Sequence, residues 1–340
     1  MKSIYGLNLK DMEDYFISIG SKKFHADQLF TWLYEKRIES YDEVTNIKKE
    51  LIEELKSNYS ISRLNIVDVQ EDVDVCKYLF ELSDKEHIEA VLMKHDYGNS
   101  ICISSQVGCN MGCKFCESGR RKKVRNLEVH EMVLQILMIE KLLGERISHV
   151  VVMGIGEPFD NYDNLIKFFE IINHPKGLAI GARHITVSTC GLVPKILEFS
   201  NFPLQINLAI SLHAPNNELR DKIMPINKAY PLEKLIPAIK TYLERTNRRV
   251  TFEYILLKDV NDSDKCAEEL AKLVRGINCY INLIPYNETN NIQFKRTNTI
   301  QIMRFYDILK KNNVGVTIRR EFGGNISAAC GQLRSKKEEL

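Results

Sequence analysis

The sequence predicts an α/β protein built on a curved, partly closed (β/α)6 barrel, with a small helical region before it. Three observations predict this. Six apolar runs of strand length recur after residue 100, stretches of helical periodicity separate several of them, and the first sixty residues show helical spacing alone. Strands so continuously apolar, separated by helices, belong to a parallel sheet covered on both faces. Periodicity does not decide between a curved barrel and a doubly wound sheet; six successive units favour the barrel.

In chain order, residues 1–60 form the helical region. Leu29, Phe30, Trp32 and Leu33 cluster at helical spacing in HADQLFTWLYEKR, as do Leu51, Ile52 and Leu55 in KKELIEELK. Residues 61–98 read as a β-rich linker of short runs, IVDVQ, CKYLFEL and IEAVLMK, with turn residues such as Ser83 and Asp84 between them. Residues 99–335 form the barrel. Its strand candidates are ICISSQ (101–106), HVVVMGI (149–155), HITVS (184–188), INLAIS (206–211), VTFEYIL (250–256) and YINLIP (280–285). Met132, Val133, Ile136 and Leu137 share one helical face between the first two, and Leu165, Phe168, Phe169 and Ile172 share another after the second. The tail, 336–340, reads as frayed and solvated. No internal repeat and no low-complexity linker interrupts the chain.

With 340 residues, 44% hydrophobic and 27% charged, the composition is that of an ordinary globular protein. No apolar run approaches the ~20 residues that span a bilayer, and the start, MKSIYGLNLKDMEDYF, lacks the apolar stretch of a secretory signal. A cytoplasmic protein without membrane association is expected. A net charge of +2 neither announces nor excludes a nucleic-acid partner. Nine cysteines, an odd number in a reducing compartment, argue for metal or redox chemistry over a disulfide framework.

Three of the nine stand together. Cys109, Cys113 and Cys116 form C-x3-C-x2-C directly after a strand candidate, with Gly108 and Gly112 permitting tight turns. Three thiolates in one loop can reach one metal centre. A structural zinc site wants a fourth ligand close by in sequence, and none is there. Iron–sulfur clusters normally take four cysteines, so three leave one iron open to another ligand.

On this motif, with Phe115 before its last cysteine, the chain resembles the radical S-adenosylmethionine (SAM) superfamily. The resemblance implies a radical SAM barrel and a [4Fe–4S] cluster on Cys109, Cys113 and Cys116. The open iron would bind SAM through its amino and carboxylate groups, and electron transfer would cleave it to a 5′-deoxyadenosyl radical. Ligands of α/β sheets bind at the carboxyl ends of the strands, and polar or glycine-rich segments recur at such ends here. A G-x-G-E-P segment carries Gly156 and Glu157, S-T-x-G carries Ser188, S-L-H-A-P carries Ser211, Leu212 and His213, and N-L-I-P-x-N ends on Asn287. Glu157 is a candidate to hold a cationic amine. These segments resemble those of the RlmN/Cfr family of RNA adenine methyltransferases, which implies that all seven residues bind SAM.

Cys330, in A-A-C-G-Q-L, and Cys102, seven residues before Cys109, read blandly as small buried hydrophobes. The resemblance gives them chemistry. It implies that one SAM methylates Cys330 by polar displacement and that a radical from a second SAM takes hydrogen from the S-methyl group. The carbon radical then adds to adenine, and Cys102 resolves the covalent protein–RNA intermediate through a transient disulfide with Cys330. Glu89, thirteen residues before Cys102, matches the family's proton acceptor; from the residues alone a solvated surface carboxylate is the simpler expectation. Radical addition also makes chemical sense, because the amidine carbons of adenine are electrophilic and cannot draw a methyl group from SAM directly.

Five basic residues, Arg120, Arg121, Lys122, Lys123 and Arg125, lie beside the cysteine loop, where phosphate contacts are expected; this run is more basic than is usual in the family. Lys22, Lys23, Lys36 and Arg37 make the helical region a second RNA-binding candidate. The stretch G-x-K-K-F-H-A-D-Q-L-F-T-W-L-Y is similar to the RlmN group, which methylates C2 of a 23S rRNA adenine and, in some members, a tRNA adenine. A monomer supplied with electrons by a flavodoxin- or ferredoxin-type donor is implied. Three other readings stay open: C8 methylation of the same base, as in the Cfr group; action on a different RNA; and a non-catalytic RNA-binding protein stabilised by a structural metal.

Overall fold

The computed structural model describes residues 1–288 and 293–319. Lys2–Ser3 (β1) lies parallel to Tyr59–Ser60 (β2), clasping together the two ends of the helical region. Between them run α1 (Leu9–Ser18), α2 (Phe24–Thr31) and α3 (Lys49–Asn58). Asn8 starts α1 because its side chain accepts from the Asp11 amide while Asp11 accepts from the Asn8 amide. α2 continues as a wide turn to Lys36 and stops at Arg37, whose φ of 58° is left-handed.

β3 (Asn65–Asp72), β4 (Val75–Glu81), β5 (His87–His95) and β6 (Gly98–Cys102) form an antiparallel meander. A short ladder, β7 (Gln106–Val107) with β8 (Arg125–Asn126), closes the loop that carries the cysteine triplet. The chain then winds through α4 (Val129–Leu143), β9 (Ile147–Val152), α5 (Tyr162–Asn173), β10 (Ile185–Thr189), α6 (Val193–Phe199) and β11 (Asn207–Ser211). It continues through α7 (Asn217–Ile223), α8 (Leu232–Thr246), β12 (Val250–Leu256), α9 (Asp264–Leu273), β13 (Cys279–Pro285), α10 (Thr299–Lys311) and β14 (Val316–Ile318).

β6 and β9 to β14 are parallel, each beside its predecessor, in one ten-stranded sheet. The strand order never reverses, which excludes the doubly wound alternative. Among the described residues the edge strands, β3 and β14, do not pair with each other, so the sheet these residues form is open. The three runs between residues 61 and 98 extend this same sheet as its antiparallel arm. The first barrel strand is shorter than the apolar run ICISSQ suggests. Past Cys102, side chains and loops capture the backbone: the Ser104 amide donates to Gln135 Oε1 at 2.9 Å and the Ser105 amide to the Ile155 carbonyl at 2.9 Å.

One apolar cluster joins the helical region to the barrel, with Phe16, Phe30 and Leu33 in the same core as Met132, Phe168 and Phe252. Directly paired residues of adjacent strands share a face, as do residues two apart along a strand. Following the pairings from Lys77 to Val91, Cys102 and Val151, and from Ser188 across to Ser211, Glu253 and Asn282, places all of these on one side of the sheet. Val150, Val187, Leu208 and Phe252 point the other way, into the core. The polar residues therefore line the concave face.

Candidate active site

The triplet loop is held by its own backbone. The Cys109 amide donates to the Arg121 carbonyl at 2.9 Å, the Cys116 amide to the Cys113 carbonyl at 3.2 Å, and the Lys114 amide to the Ile223 carbonyl at 2.9 Å. Gly108, at φ +73°, permits the turn, since a side chain there would run into the Lys122 carbonyl. Phe115 packs among Met224, Ile255 and Ile284 in a second apolar cluster that anchors the loop over the strand ends.

The three cysteines face an open cleft of about 900 Å³, which they share with Gly156, Glu157, Ser188, Ser211 and His213. Eight of the residues expected to bind metal or SAM are thus brought together, at the carboxyl ends of β9, β10 and β11. Among the described residues no three His, Cys, Asp or Glu side chains converge closely enough to hold a single ion. Burial pushes the Cys109 thiol up to about 12 and holds Cys113 well above the ordinary thiol value.

Glu157 differs from its expected use. Its carboxylate accepts from the Phe159 amide at 3.1 Å and from the Cys190 amide at 2.8 Å, so it fastens the G-x-G-E-P turn to the end of β10. Burial raises its pKa. An amine approaching this turn meets backbone as well as carboxylate. Gly156, at φ +111°, lets the turn pass close to Gln106, where an added Cβ would lie 2.6 Å from the Gln106 Cβ. The Gln106 Oε1 in turn accepts the Glu157 amide at 2.9 Å.

Ser188 and Ser211, on neighbouring strands, bring their hydroxyls to 3.3 Å. His213 sits edge-on to Phe115, with ring centroids 4.8 Å apart, and its Nδ1 accepts the Ile255 amide at 3.0 Å. Leu212 is fully buried and Asn287 half-buried, and neither lines the cleft. Leu212 contributes its carbonyl, which accepts from Arg220 Nε at 3.1 Å.

Glu89 is no solvated carboxylate: its side chain is 5% exposed and its Oε1 stands 3.4 Å from Lys77 Nζ. Cys102, buried on the same concave face, packs with Val91, Met93, Val151 and Met153 beside the cleft. Cys330 lies outside the described residues.

Most of the basic run is already paired with acids. Arg125 makes a bidentate contact with Glu131 at 2.7 and 2.8 Å and a further one with Asp84. Lys123 meets Asp160 at 2.6 Å, Arg121 meets Glu86 at 2.5 Å and Arg120 meets Glu117 at 3.4 Å. The partly exposed pairs of Arg120 and Arg121 are cheap to exchange for phosphate; Arg125 belongs to the fold. Arg37 likewise ties the helical region to Glu140 at 2.6 Å, whereas Lys22 and Lys36 stay exposed.

Four further residues escape the motif reading. Glu253 lines the cleft beside Ser211, buried, with Asn282 Nδ2 donating to its Oε2 at 2.7 Å. Lys77 pairs with Glu89. A charged residue inside an apolar strand run is the signal that finds both. Arg220, fully buried, donates to the carbonyls of Leu212, Cys190 and Ser211 and to Asn227 Oδ1, binding two strand ends together. Cys190 is a fourth thiol in the cleft, pushed up by burial and by the Glu157 carboxylate that accepts its S–H. Contacts made through carbonyls, as by Arg220, leave no mark in a sequence.

The Radical SAM superfamily model matches residues 103–273, and the ribosomal RNA large subunit methyltransferase N-terminal domain matches residues 2–61. A Spiroplasma citri protein described as a probable dual-specificity RNA methyltransferase RlmN is 54% identical, covering 99% of each chain. One from Enterococcus faecalis with the same description is 55% identical over 99% of this chain and 97% of its own. The crystal structure of a radical SAM methyltransferase from Sphaerobacter thermophilus superposes with a TM-score of 0.93 at 41% identity, over 99% of this chain and 100% of that one.

Proposed function

The chain belongs to the RlmN family of radical SAM methyltransferases, and from that premise we propose that it methylates C2 of the 23S rRNA adenine equivalent to adenine 2503 and of adenine 37 in tRNAs. The observation that carries this reading is the shared cleft, in which three loop cysteines face G-x-G-E-P, Ser188, Ser211 and His213 across the strand ends.

Cys109, Cys113 and Cys116 fit a [4Fe–4S] cluster: all three line one cleft from a single loop, and Cys190, its S–H given to Glu157, stays outside the donor set. Such a cluster, bound there, supplies the electron that cleaves SAM. The turn at Gly156 and Glu157 receives the amino-acid end of SAM, Ser188 and Ser211 offer hydroxyls along it, and the neutral His213 ring borders the adenosyl end beside Leu212. Asn287, at the end of β13, completes the SAM set from the rim. Glu253 adds a carboxylate with one oxygen held by Asn282.

Two SAM molecules serve each turnover. Cys330 takes a methyl group from the first, and the second furnishes the radical that activates it. Cys102 releases the product by pairing with Cys330: the S–S bond forms as the bond from the Cys330 sulfur to the transferred carbon breaks, its electron pair going to that carbon, which takes up a proton to complete the methyl group. Glu89 accepts the proton lost from C2. The phosphate backbone of the RNA meets Lys22, Lys36 and the exposed part of the 120–123 run. We infer a cytoplasmic monomer drawing electrons from a flavodoxin- or ferredoxin-type donor. No described helix is long and apolar enough to cross a membrane.

The roles of the two cysteines separate cleanly in experiment. Cys330→Ala is expected to assemble its cluster and yet transfer no methyl group, whereas Cys102→Ala is expected to accumulate protein covalently attached to RNA, visible as a shifted band on a denaturing gel. Full turnover by either variant contradicts the assignment.

A further inference from the structure

The antiparallel arm of the sheet buries a charge that the reaction so far leaves without a task. Lys77 stands in the middle of β4 among Val75, Tyr78, Leu79 and Phe80, all buried, and its own side chain is only 10% exposed. Its ammonium lies 3.4 Å from Glu89 on β5. Lysines are almost never buried unless paired, and desolvating such a pair costs about as much as the pairing returns. Stability is therefore a poor reason to keep an ammonium here.

The surroundings define what it can do. Register puts Asp68 and Asp72 (β3), Glu81 (β4), His87 and His95 (β5) and Cys102 (β6) on the same face. His87 and Glu81 face each other at 3.8 Å, and Asp68 is exposed. Among the described residues of these four strands, Lys77 is the sole Lys or Arg on that face. Behind the pair, Ser104 Oγ donates to the Glu89 carbonyl at 2.6 Å and accepts the Ile155 amide at 3.0 Å, so the Glu89 backbone is fixed to the turn that carries Gly156.

We propose that Lys77 is the positioning residue for Glu89, its buried ammonium holding that carboxylate aimed across the concave face for the proton transfer from the target adenine. This rests on the reading of Glu89 as the proton acceptor. In that transfer the C2–H bond breaks, its electron pair stays with the ring and the proton goes to a Glu89 carboxylate oxygen. Lys77 changes neither bonding nor charge.

The test uses the full-length, cluster-loaded enzyme with its RNA, comparing Lys77→Met, Lys77→Arg and Glu89→Gln. Two steps are read separately: methylation of Cys330, which breaks no C2–H bond, and single-turnover transfer of the methyl group to RNA. Lys77→Met is expected to load Cys330 normally and to transfer roughly tenfold more slowly or worse at neutral pH. Lys77→Arg should recover most of the rate. Wild-type transfer by Lys77→Met, failure of Lys77→Arg to recover the rate, or an equal fall of both steps overturns the proposal and leaves Lys77 a part of the fold. If Glu89→Gln transfers methyl groups at full rate, it is the proton-acceptor reading that fails, a result distinct from an inactive Glu89→Gln beside a Lys77→Met that transfers at the wild-type rate.

Discussion

His213 is held neutral by its position. Burial, helped by the Arg220 guanidinium, lowers its pKa to about 3, whereas an unfolded histidine titrates near 6.5. The unfolded chain therefore takes up a proton that the folded chain refuses. The contribution to stability is complete above pH ~6.5 and is lost as pH falls toward 3, at about 1.4 kcal/mol per unit. His213→Asn keeps the left-handed backbone and offers Oδ1 to the Ile255 amide in place of Nδ1. Urea titrations near pH 7 and pH 5 should show the wild type losing about 2 kcal/mol more than the variant; parallel losses contradict the assignment. Arg220→Met strips donors from buried acceptors at Leu212, Cys190 and Ser211. It should cost about 3 kcal/mol or more, and a loss below about 1 kcal/mol in the same titration argues against its role as a tie. At this scale the sequence was legible where residues cluster in a motif, as in the triplet, and illegible where a lone charge acts from inside a strand, as Lys77 and Glu253 do. Glu157 was found by its motif, but its carboxylate turned out to serve two backbone amides.

The turn after β9 shows what an element demands of its residues. Gly156 combines a positive φ with backbone passing against Gln106, so Gly156→Ala meets both strain and overlap. It should weaken SAM binding at least tenfold, about 1.4 kcal/mol, in equilibrium dialysis. Gly6→Ala, with nothing within 4 Å of the added carbon, should bind SAM as the wild type does; equal behaviour of the two variants contradicts this account of the turn. The barrel strands were legible because burial on both faces leaves near-continuous apolar runs. Their ends were not. β6 stops at Cys102 although the apolar pattern runs on, because Gln135, thirty-one residues away, takes up the Ser104 backbone. Such capture is tertiary and leaves no local pattern.

For the molecule as a whole, the helical region and the barrel share a core, and Arg37–Glu140, Lys167–Asp11 and Lys176–Asp27 cross between them. Unfolding followed by fluorescence of Trp32, in the helical region, and by circular dichroism of the whole chain should give coincident transitions; separate midpoints would show two independent units. Strand order, each strand beside its predecessor, was beyond periodicity to fix: six successive units favour a barrel, but the apolar pattern alone does not decide against a doubly wound sheet. It matters because a singly wound sheet gathers successive strand ends around one cleft, where loops far apart in sequence meet. The most direct test of that arrangement supplies the anaerobically reconstituted enzyme with RNA, a reductant and SAM labelled in its methyl group, and identifies the modified nucleoside by mass spectrometry. Labelled 2-methyladenosine is expected, and only from cluster-loaded protein. Labelled 8-methyladenosine, or RNA that stays unmodified while the cluster is intact, would contradict the account.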